Sequence, residues 1–386
     1  MGGKSRIVKI GGFDHVESLT LGGGFPVAIQ TMWKDRLSFA DLEGAAGECL
    51  VARIARLRAM GCGLLRFAVP DLEAAEVLGA LASAVSLPLV ADIHFDYRIA
   101  LRCLDFPIAK LRINPGNIGS REKVEKVLAK AAPRGIPLRI GVNAGSLPHD
   151  LRREVDGGGL DLAEALVRAA EREAALFEEM GYDRYLVSLK ASSPAQTLKA
   201  NRLLAGRSPA PIHIGVTEAG PLIAGVVRNT AALHPLLSEG IGDTLRVSLS
   251  DTMEHEVIAG REILNAVKDS AVSGVGISDA DAEGEGSRGV VIVSCPRCGR
   301  NSFDTHGFTG RWLHRLYALD KNITVAVMGC AVNGPGEARH ADLGITGSGN
   351  RVLIFRRGTV IRTIDAGEGD PAALADQAFA EALENL

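Results

Sequence analysis

Residues 110–145 read KLRINPGNIGSREKVEKVLAKAAPRGIPLRIGVNAG, and the fold is decided there. A short apolar run, KLRINPG (110–116), ends in polar residues and a turn. A helical stretch follows, and a second run, LRIGVNAG (138–145), closes the segment. Strand, helix and strand in that order predict two parallel strands joined by a crossover helix. The same unit recurs on both sides. The runs are PVAIQTM (26–32), LLRFAVP (64–70), LPLVADIH (87–94), YLVSLKAS (185–192), PIHIGVTEAG (211–220) and TLRVSLS (244–250), with amphipathic stretches such as 39–60, 160–180 and 219–237 between them. Eight units over about 250 residues have the size of a (β/α)8 TIM barrel. Residues 6–10 and 16–21, ahead of the first unit, read as a hairpin.

The pattern then breaks. Residues 270–289, SAVSGVGISDADAEGEGSRG, are rich in Gly, Ser and acid and poor in apolar side chains, as a linker or loop would be. From residue 290 a smaller unit begins. VVIVS, ITVAVM, DLGITG, RVLIFR and TVIRTI read as strands, and residues 306–319 and 371–386 as helices. The expected organisation is a barrel over 1–268, a linker over 269–289 and a small α+β domain over 290–386. The chain has 386 residues, 46% hydrophobic and 23% charged, with a net charge of −3. That composition suits a soluble globular protein and argues against general affinity for nucleic acid or anionic membrane. No apolar run is long enough to span a bilayer, and the first ten residues lack a signal core, so the expected location is the cytoplasm.

In a barrel of this kind the active site lies at the C-terminal ends of the strands. Arg66, Asp92, His94, Arg112, Asn114, Arg139, Asn143, Ser188, Lys190, Ser192, Glu218, Arg246 and Ser248 fall mostly late in their runs. Strand side chains alternate, so Arg139 with Asn143, Arg246 with Ser248, Lys190 with Ser192 and Asp92 with His94 each point the same way. Arg66, Arg112, Arg139, Lys190 and Arg246 come from five strands. If all turn inward, five cations meet at one mouth, and an anionic ligand is expected to offset the cost of burying them. Arginine forks match phosphate oxygens in pairs, and so many cations suit a diphosphate better than a monophosphate. Singly, each has a plainer reading: an Arg as a salt-bridge partner, Asp92 as counter-ion to Arg66 or Arg112, His94 as a wall residue, Glu218 as a helix-start carboxylate. The recurrence across strands is what favours a site.

The six cysteines do not form a disulfide framework pattern. Cys49, Cys62 and Cys103 sit among small apolar residues and read as buried hydrophobes. Cys295 and Cys298 stand in VSCPRCGR, Cys330 in VMGCAVNGPGE, and Glu337 closes that run. Three thiols and a carboxylate suggest a metal site with one labile ligand. His306 and His340 are alternative fourth ligands. Soft thiolates favour iron–sulfur, but three thiols on structural zinc fit the spacing too.

KLRINPGNIG, RIGVNAGSL, HIGVTEAG, VSCPRCGR and VAVMGCAVNGPGEA together resemble the 4-hydroxy-3-methylbut-2-enyl diphosphate synthase family, in its bacterial two-domain form. The resemblance runs from about residue 7 to residue 364. It implies a [4Fe–4S] cluster on Cys295, Cys298, Cys330 and Glu337, and reductive ring-opening and dehydration of 2-C-methyl-D-erythritol 2,4-cyclodiphosphate in the methylerythritol phosphate route to isoprenoids. It implies flavodoxin or ferredoxin as electron donor and a head-to-tail homodimer. The family's diphosphate-binding positions match Arg66, Arg112, Arg139, Asn143, Lys190, Arg246 and Ser248, and its barrel carboxylate matches Glu218. In a mechanism built on both readings, catalytic parts would fall to Glu218 and Glu337, and Asp92, His94 and Asn333 would orient groups around the ring. Two departures stand out: the family tends to read Ser-Met-Thr where this chain has Thr31-Met32-Trp33, and the acidic linker is long. The rivals are a non-redox barrel synthase with a zinc module and an iron–sulfur sensor.

Overall fold

The computed structural model describes residues 5–113, 118, 120–273, 289–296, 302–330, 332–348, 351–365 and 371–386, with backbone only for 146, 271–273, 332, 333, 337 and 371. Cys298 and Asn114, and the side chains of Asn333 and Glu337, lie outside the described residues. The chain divides into two units, Met1–Ala282 and Glu283–Leu386.

The first unit begins with the hairpin β1 (Val8–Ile10) and β2 (Leu19–Leu21), antiparallel with Val8 opposite Leu21. The barrel strands are β3 (Ala28–Met32), β4 (Cys62–Ala68), β5 (Leu89–Ile93), β6 (Lys110–Ile113), β7 (Leu138–Asn143), β8 (Tyr185–Lys190), β9 (His213–Ile214) and β10 (Thr244–Leu245). They lie in the order β8-β7-β6-β5-β4-β3-β10-β9, with all paired neighbours parallel. A bridge from Val187 to Ile212, with the Val187 amide donating to the Pro211 carbonyl at 3.0 Å, joins the two ends. The barrel expected from the runs is the barrel observed.

Helices alternate with these strands: α1 (Gly44–Ala59), α2 (Leu72–Ala84), α3 (Tyr97–Cys103), α4 (Arg121–Ala131), α5 (His149–Asp156), α6 (Leu162–Glu179), α7 (Pro194–Ala205), α8 (Leu222–Ser238) and α9 (Met253–Ser273). Their starts follow local chemistry. Asp71, Asp96 and Asp161 accept from backbone amides of the first turn of α2, α3 and α6, each cap contributing about 1 kcal/mol. α7 opens on Ser193 as cap and Pro194 at the first helical position, where proline suits the backbone. Helix α9 continues through Ser273, so it enters the stretch 269–289 read as linker. Cys62 and Cys103 are buried as expected, but Cys49 faces solvent from α1. Its helix buries Gly47, Leu50, Ile54 and Leu57 instead, the face one residue round from Cys49.

The hairpin stops one end of the barrel. Val8, Ile10 and Leu21 pack with Ala28, Leu64, Val90, Ala109 and Leu186, which lie at or before the starts of their strands or early in them. The polar strand ends are left at the opposite face.

The second unit is a five-stranded sheet in the order β11 (Val290–Ser294), β12 (Ile323–Met328), β13 (Leu343–Ser348), β14 (Arg351–Arg356) and β15 (Thr359–Asp365). β11, β12 and β13 are parallel; β14 and β15 complete the sheet antiparallel. Helices α10 (Thr305–Tyr317) and α11 (Pro371–Glu384) supply Phe308, Trp312, Leu316 and Phe379 to a core with Val325, Val327, Leu343, Ile345 and Ile354. The Phe379 ring meets both Phe308 and Trp312 edge-on, at 5.1 and 4.9 Å between centroids.

Candidate functional site

Parallel register places the cations at the barrel mouth. Asp92 on β5 pairs with Arg112 on β6, and Arg112 with Arg139 on β7. Neighbours in register point to the same side of a sheet, so these three side chains share the barrel interior. All three are buried. Arg112 Nη1 donates to Asp92 Oδ1 at 2.9 Å and to His94 Nε2 at 2.9 Å. Arg66 Nε stands 3.5 Å from the other Asp92 oxygen. Burial would push the Asp92 carboxyl up, but Arg66, His94 and Arg112 outweigh it and hold the carboxyl well below the usual range. Asp92 is therefore the counter-ion of both arginines. His94 itself is exposed at the rim.

One carboxylate does not neutralise the group. Arg139 is buried, and its Nε and Nη1 have no hydrogen-bond partner among the described residues. Burial, and then the charges of Arg66 and Arg112, push its pKa well below the ordinary guanidinium value. Lys190 on β8, in register with Asn143 on β7, is pushed well down by burial and by Arg139, Arg66, Arg246 and Arg112. Arg66, Arg112, Arg139, Lys190 and Arg246 thus converge, and their mutual repulsion adds to the cost of burying them. Two glycines make room for it. A Cβ on Gly141 would lie 2.7 Å from Arg112 Nε, and one on Gly215 would lie 2.8 Å from Lys190 Nζ.

On the far side, Arg246 is held by a carboxylate that the strand reading missed. Glu256, in the first turn of α9, accepts from Arg246 Nε and Nη2 at 3.0 Å each, from Thr31 Oγ1 at 2.6 Å and from the Leu249 amide at 3.1 Å. Lys34 Nζ, from the loop after β3, donates to it at 2.5 Å. The Met32 sulfur accepts from Arg66 Nη2 at 2.8 Å and lies 3.6 Å from Arg246 Nη1. A second missed residue is Lys110, fully buried and donating to Gln30 Oε1 at 3.1 Å; burial, then Arg139 and Arg66, push its pKa well down.

Ser248 and Asn143 are half-buried near the ends of their runs. Glu218 does not sit on a strand, since β9 ends at Ile214, nor in the first turn of α8, which starts at Leu222. It occupies an exposed turn with φ +51°, a left-handed conformation costing a non-glycine residue about 1–3 kcal/mol. Such strain is concentrated at functional sites.

In the second unit, parallel pairing of β11 with β12 brings two thiols to one end of the sheet. The Cys295 amide donates to the Val327 carbonyl at 2.9 Å, and Cys330 follows two residues after β12. Cys330 is buried and Cys295 half-buried. Cys295 opens onto a cavity shared with Ser294, Pro296, Thr305, His306 and Thr309. After Cys330 the backbone forms a wide helical turn, Val332–Glu337, in which the Gly334 amide bonds the Cys330 carbonyl at 3.0 Å. Among the described residues no set of three or more His, Cys, Asp and Glu side chains is gathered for a metal. Two thiols at one sheet end, one beside open space, fit a thiolate-held group whose other expected ligands, Cys298 and the side chain of Glu337, lie outside the described residues. His306 and His340 are exposed.

Comparison with known proteins agrees with both units. Residues 14–261 match the GcpE TIM-barrel domain and residues 291–375 the GcpE protein C-terminal domain. A Treponema pallidum protein named 4-hydroxy-3-methylbut-2-en-1-yl diphosphate synthase (flavodoxin) is 50% identical over 99% of this chain and 92% of its own length. Relatives of the same name from Treponema denticola and Geobacter sulfurreducens are 45% and 42% identical over 99% and 97% of this chain, each covered to 98%. With both family domains in place and near full-length relatives at this identity, the chain belongs to the GcpE family of 4-hydroxy-3-methylbut-2-en-1-yl diphosphate synthases.

Proposed function

We propose that this chain carries out the reaction for which its relatives are named, with 2-C-methyl-D-erythritol 2,4-cyclodiphosphate as substrate. Two electrons and one proton enter, two C–O bonds break, and 4-hydroxy-3-methylbut-2-enyl diphosphate and water leave. The observation that carries the reading is Arg139, buried among Arg66, Arg112 and Lys190 with two guanidinium nitrogens open. A diphosphate supplies several anionic oxygens at once and offsets both the burial and the mutual repulsion that depress Arg139 and Lys190.

In this reading the residues divide the work. Arg139, Lys190, Arg66, Arg112 and Arg246 bind the diphosphate, with Asn143 and Ser248 as neutral donors. Asp92 fixes Arg66 and Arg112 in place, and His94 continues that chain of contacts to the rim. Glu218, exposed at its strained turn, moves a proton to or from the opened ring. Asn333 orients the ring. Cys295, Cys298, Cys330 and Glu337 would hold a [4Fe–4S] cluster, which when bound would supply the electrons singly and a Lewis-acidic iron. Flavodoxin, named with the relatives, is the electron donor, with ferredoxin an equivalent. We place the chain in the cytoplasm, where its thiols stay reduced, as a head-to-tail homodimer with a barrel domain (1–268) and a cluster domain (290–386).

The test is the composition of protein purified without oxygen. Iron and acid-labile sulfide in equal amounts, lost together in a Cys298→Ser variant, are expected. Zinc without sulfide would leave the barrel intact and end the redox reading.

A further inference from the structure

We propose that Glu256 is the positioning residue of the diphosphate site, setting the angle at which Arg246 presents its one remaining edge to the substrate. The inference rests on the preceding reading of the barrel mouth as a diphosphate site, and it adds a residue that neither the strand ends nor the family motifs single out.

Glu256 is not a barrel residue. It comes from α9, and it is 1% exposed with a side chain wholly out of solvent. Both carboxylate oxygens are committed. Oε2 accepts from Arg246 Nε and Thr31 Oγ1, and Oε1 accepts from Arg246 Nη2, Lys34 Nζ and the Leu249 amide. The five contacts join β3, the loop after it, the segment after β10 and α9. Burial would raise the carboxyl, but Arg246, by charge and by hydrogen bond, with Lys34 and Thr31, keeps it ionised and its pKa low.

The consequence is geometric. A guanidinium gripped through Nε and Nη2 cannot turn without breaking a charge-assisted pair, so its Nη1 edge has one direction. That edge lies 3.6 Å from the Met32 sulfur, and Arg66 Nη2 reaches the same sulfur at 2.8 Å. Met32 thus stands between two guanidinium edges, one aimed by Glu256 and the other by Asp92. Arg246 is paired with the buried Glu256 and Arg66 with the buried Asp92, and each turns a nitrogen to the Met32 sulfur, a weak acceptor that a phosphate oxygen would replace. Removing the Glu256 charge would also leave Lys34 and Arg246 beside Arg66 without a counter-ion.

The experiment is a double-substitution cycle in the full-length reconstituted protein, reading KM and kcat for the cyclic diphosphate with reduced flavodoxin, and thermal midpoint alongside. Glu256→Gln should raise KM by about tenfold or more while kcat changes less than about threefold, as loss of one ion-assisted contact in binding implies. In an Arg246→Met background the same substitution should raise KM less than about twofold, because the side chain it aims is gone. Equal effects in both backgrounds, or a lower thermal midpoint with KM unchanged, would show a merely structural carboxylate and overturn the proposal. Should Glu256→Gln not fold, Thr31→Val removes one donor and keeps the charge; it should raise KM by about threefold, and an unchanged KM overturns the proposal equally. A wild-type protein that turns over nothing overturns the diphosphate reading itself, which the wild-type arm of the cycle reports separately.

Discussion

Gly141→Ala is the sharpest probe of how closely the mouth is packed. The added methyl would lie 2.7 Å from Arg112 Nε, 3.0 Å from Nη2 and 3.3 Å from Cζ, with no backbone atom among its three nearest neighbours. Ordinary contact begins near 3.5 Å, so the guanidinium must withdraw by roughly 0.8 Å. Its Nη1 is held at 2.9 Å by both Asp92 and His94, and a shift of that size takes at least one of these bonds out of range. A hydrogen bond to a charged group contributes about 1.5–3 kcal/mol, and each 1.4 kcal/mol is about tenfold in affinity. KM for the cyclic diphosphate should therefore rise by about ten- to a hundredfold, while overpacking costs the fold only about 1–3 kcal/mol. Steady-state kinetics and a circular-dichroism melt measure the two separately. In an Arg112→Met background the glycine substitution should add little. An unchanged KM in Gly141→Ala, beside a crippled Arg112→Met, would refute the claim that this glycine exists to seat Arg112.

Other consequences follow from the same geometry. Burial and the neighbouring arginines depress Lys190, and a bound diphosphate should raise it, so substrate binding takes up protons and weakens as pH rises through the free lysine's pKa. Calorimetry in two buffers of different ionisation enthalpy should show that uptake, and Lys190→Met should reduce it; equal heats would contradict it. Asp92 and Glu256 are depressed in the folded state, so each adds stability above the unfolded carboxyl pKa of about 4, lost as pH falls through the folded value. Urea midpoints measured from neutral to acid pH should fall less steeply in Asp92→Asn, although that variant starts less stable. Glu218→Gln should leave the dissociation constant of the substrate within about twofold and cut turnover by about a hundredfold or more, the usual size of a proton-transfer contribution; full turnover removes Glu218 from the chemistry.

Much of this was legible in the chain itself. Strand, helix and strand repeat clearly in the apolar runs, and Arg66, Arg112, Arg139, Lys190 and Arg246 announce themselves as charges within otherwise apolar runs. What was not legible came from outside those positions. Glu256 belongs to a helix, and only folding brings its carboxylate under a strand end. Lys110 opens its strand, where a lysine is ordinarily solvated; here it is fully buried and donates a hydrogen bond to Gln30 Oε1. Glu218 reads as strand in HIGVTEAG, yet pairing stops at Ile214, where Gly215 lets the backbone of Arg246 approach to within 2.5 Å of where a Cβ would stand. The repeated Ile-Gly-Val of residues 140–142 and 214–216 was the available signal for both seating glycines. Cys49 misled because Ala and Cys are common on both faces of a helix, and periodicity, not composition, decides which face is buried.

The most direct measurement is single-turnover conversion under anaerobic conditions, with reduced flavodoxin and the cyclic diphosphate, the products resolved by mass spectrometry. The wild type should yield 4-hydroxy-3-methylbut-2-enyl diphosphate, and Arg139→Met should leave the substrate unreacted at the same concentration. Equal conversion by Arg139→Met, or none by an iron- and sulfide-replete wild type, would contradict it.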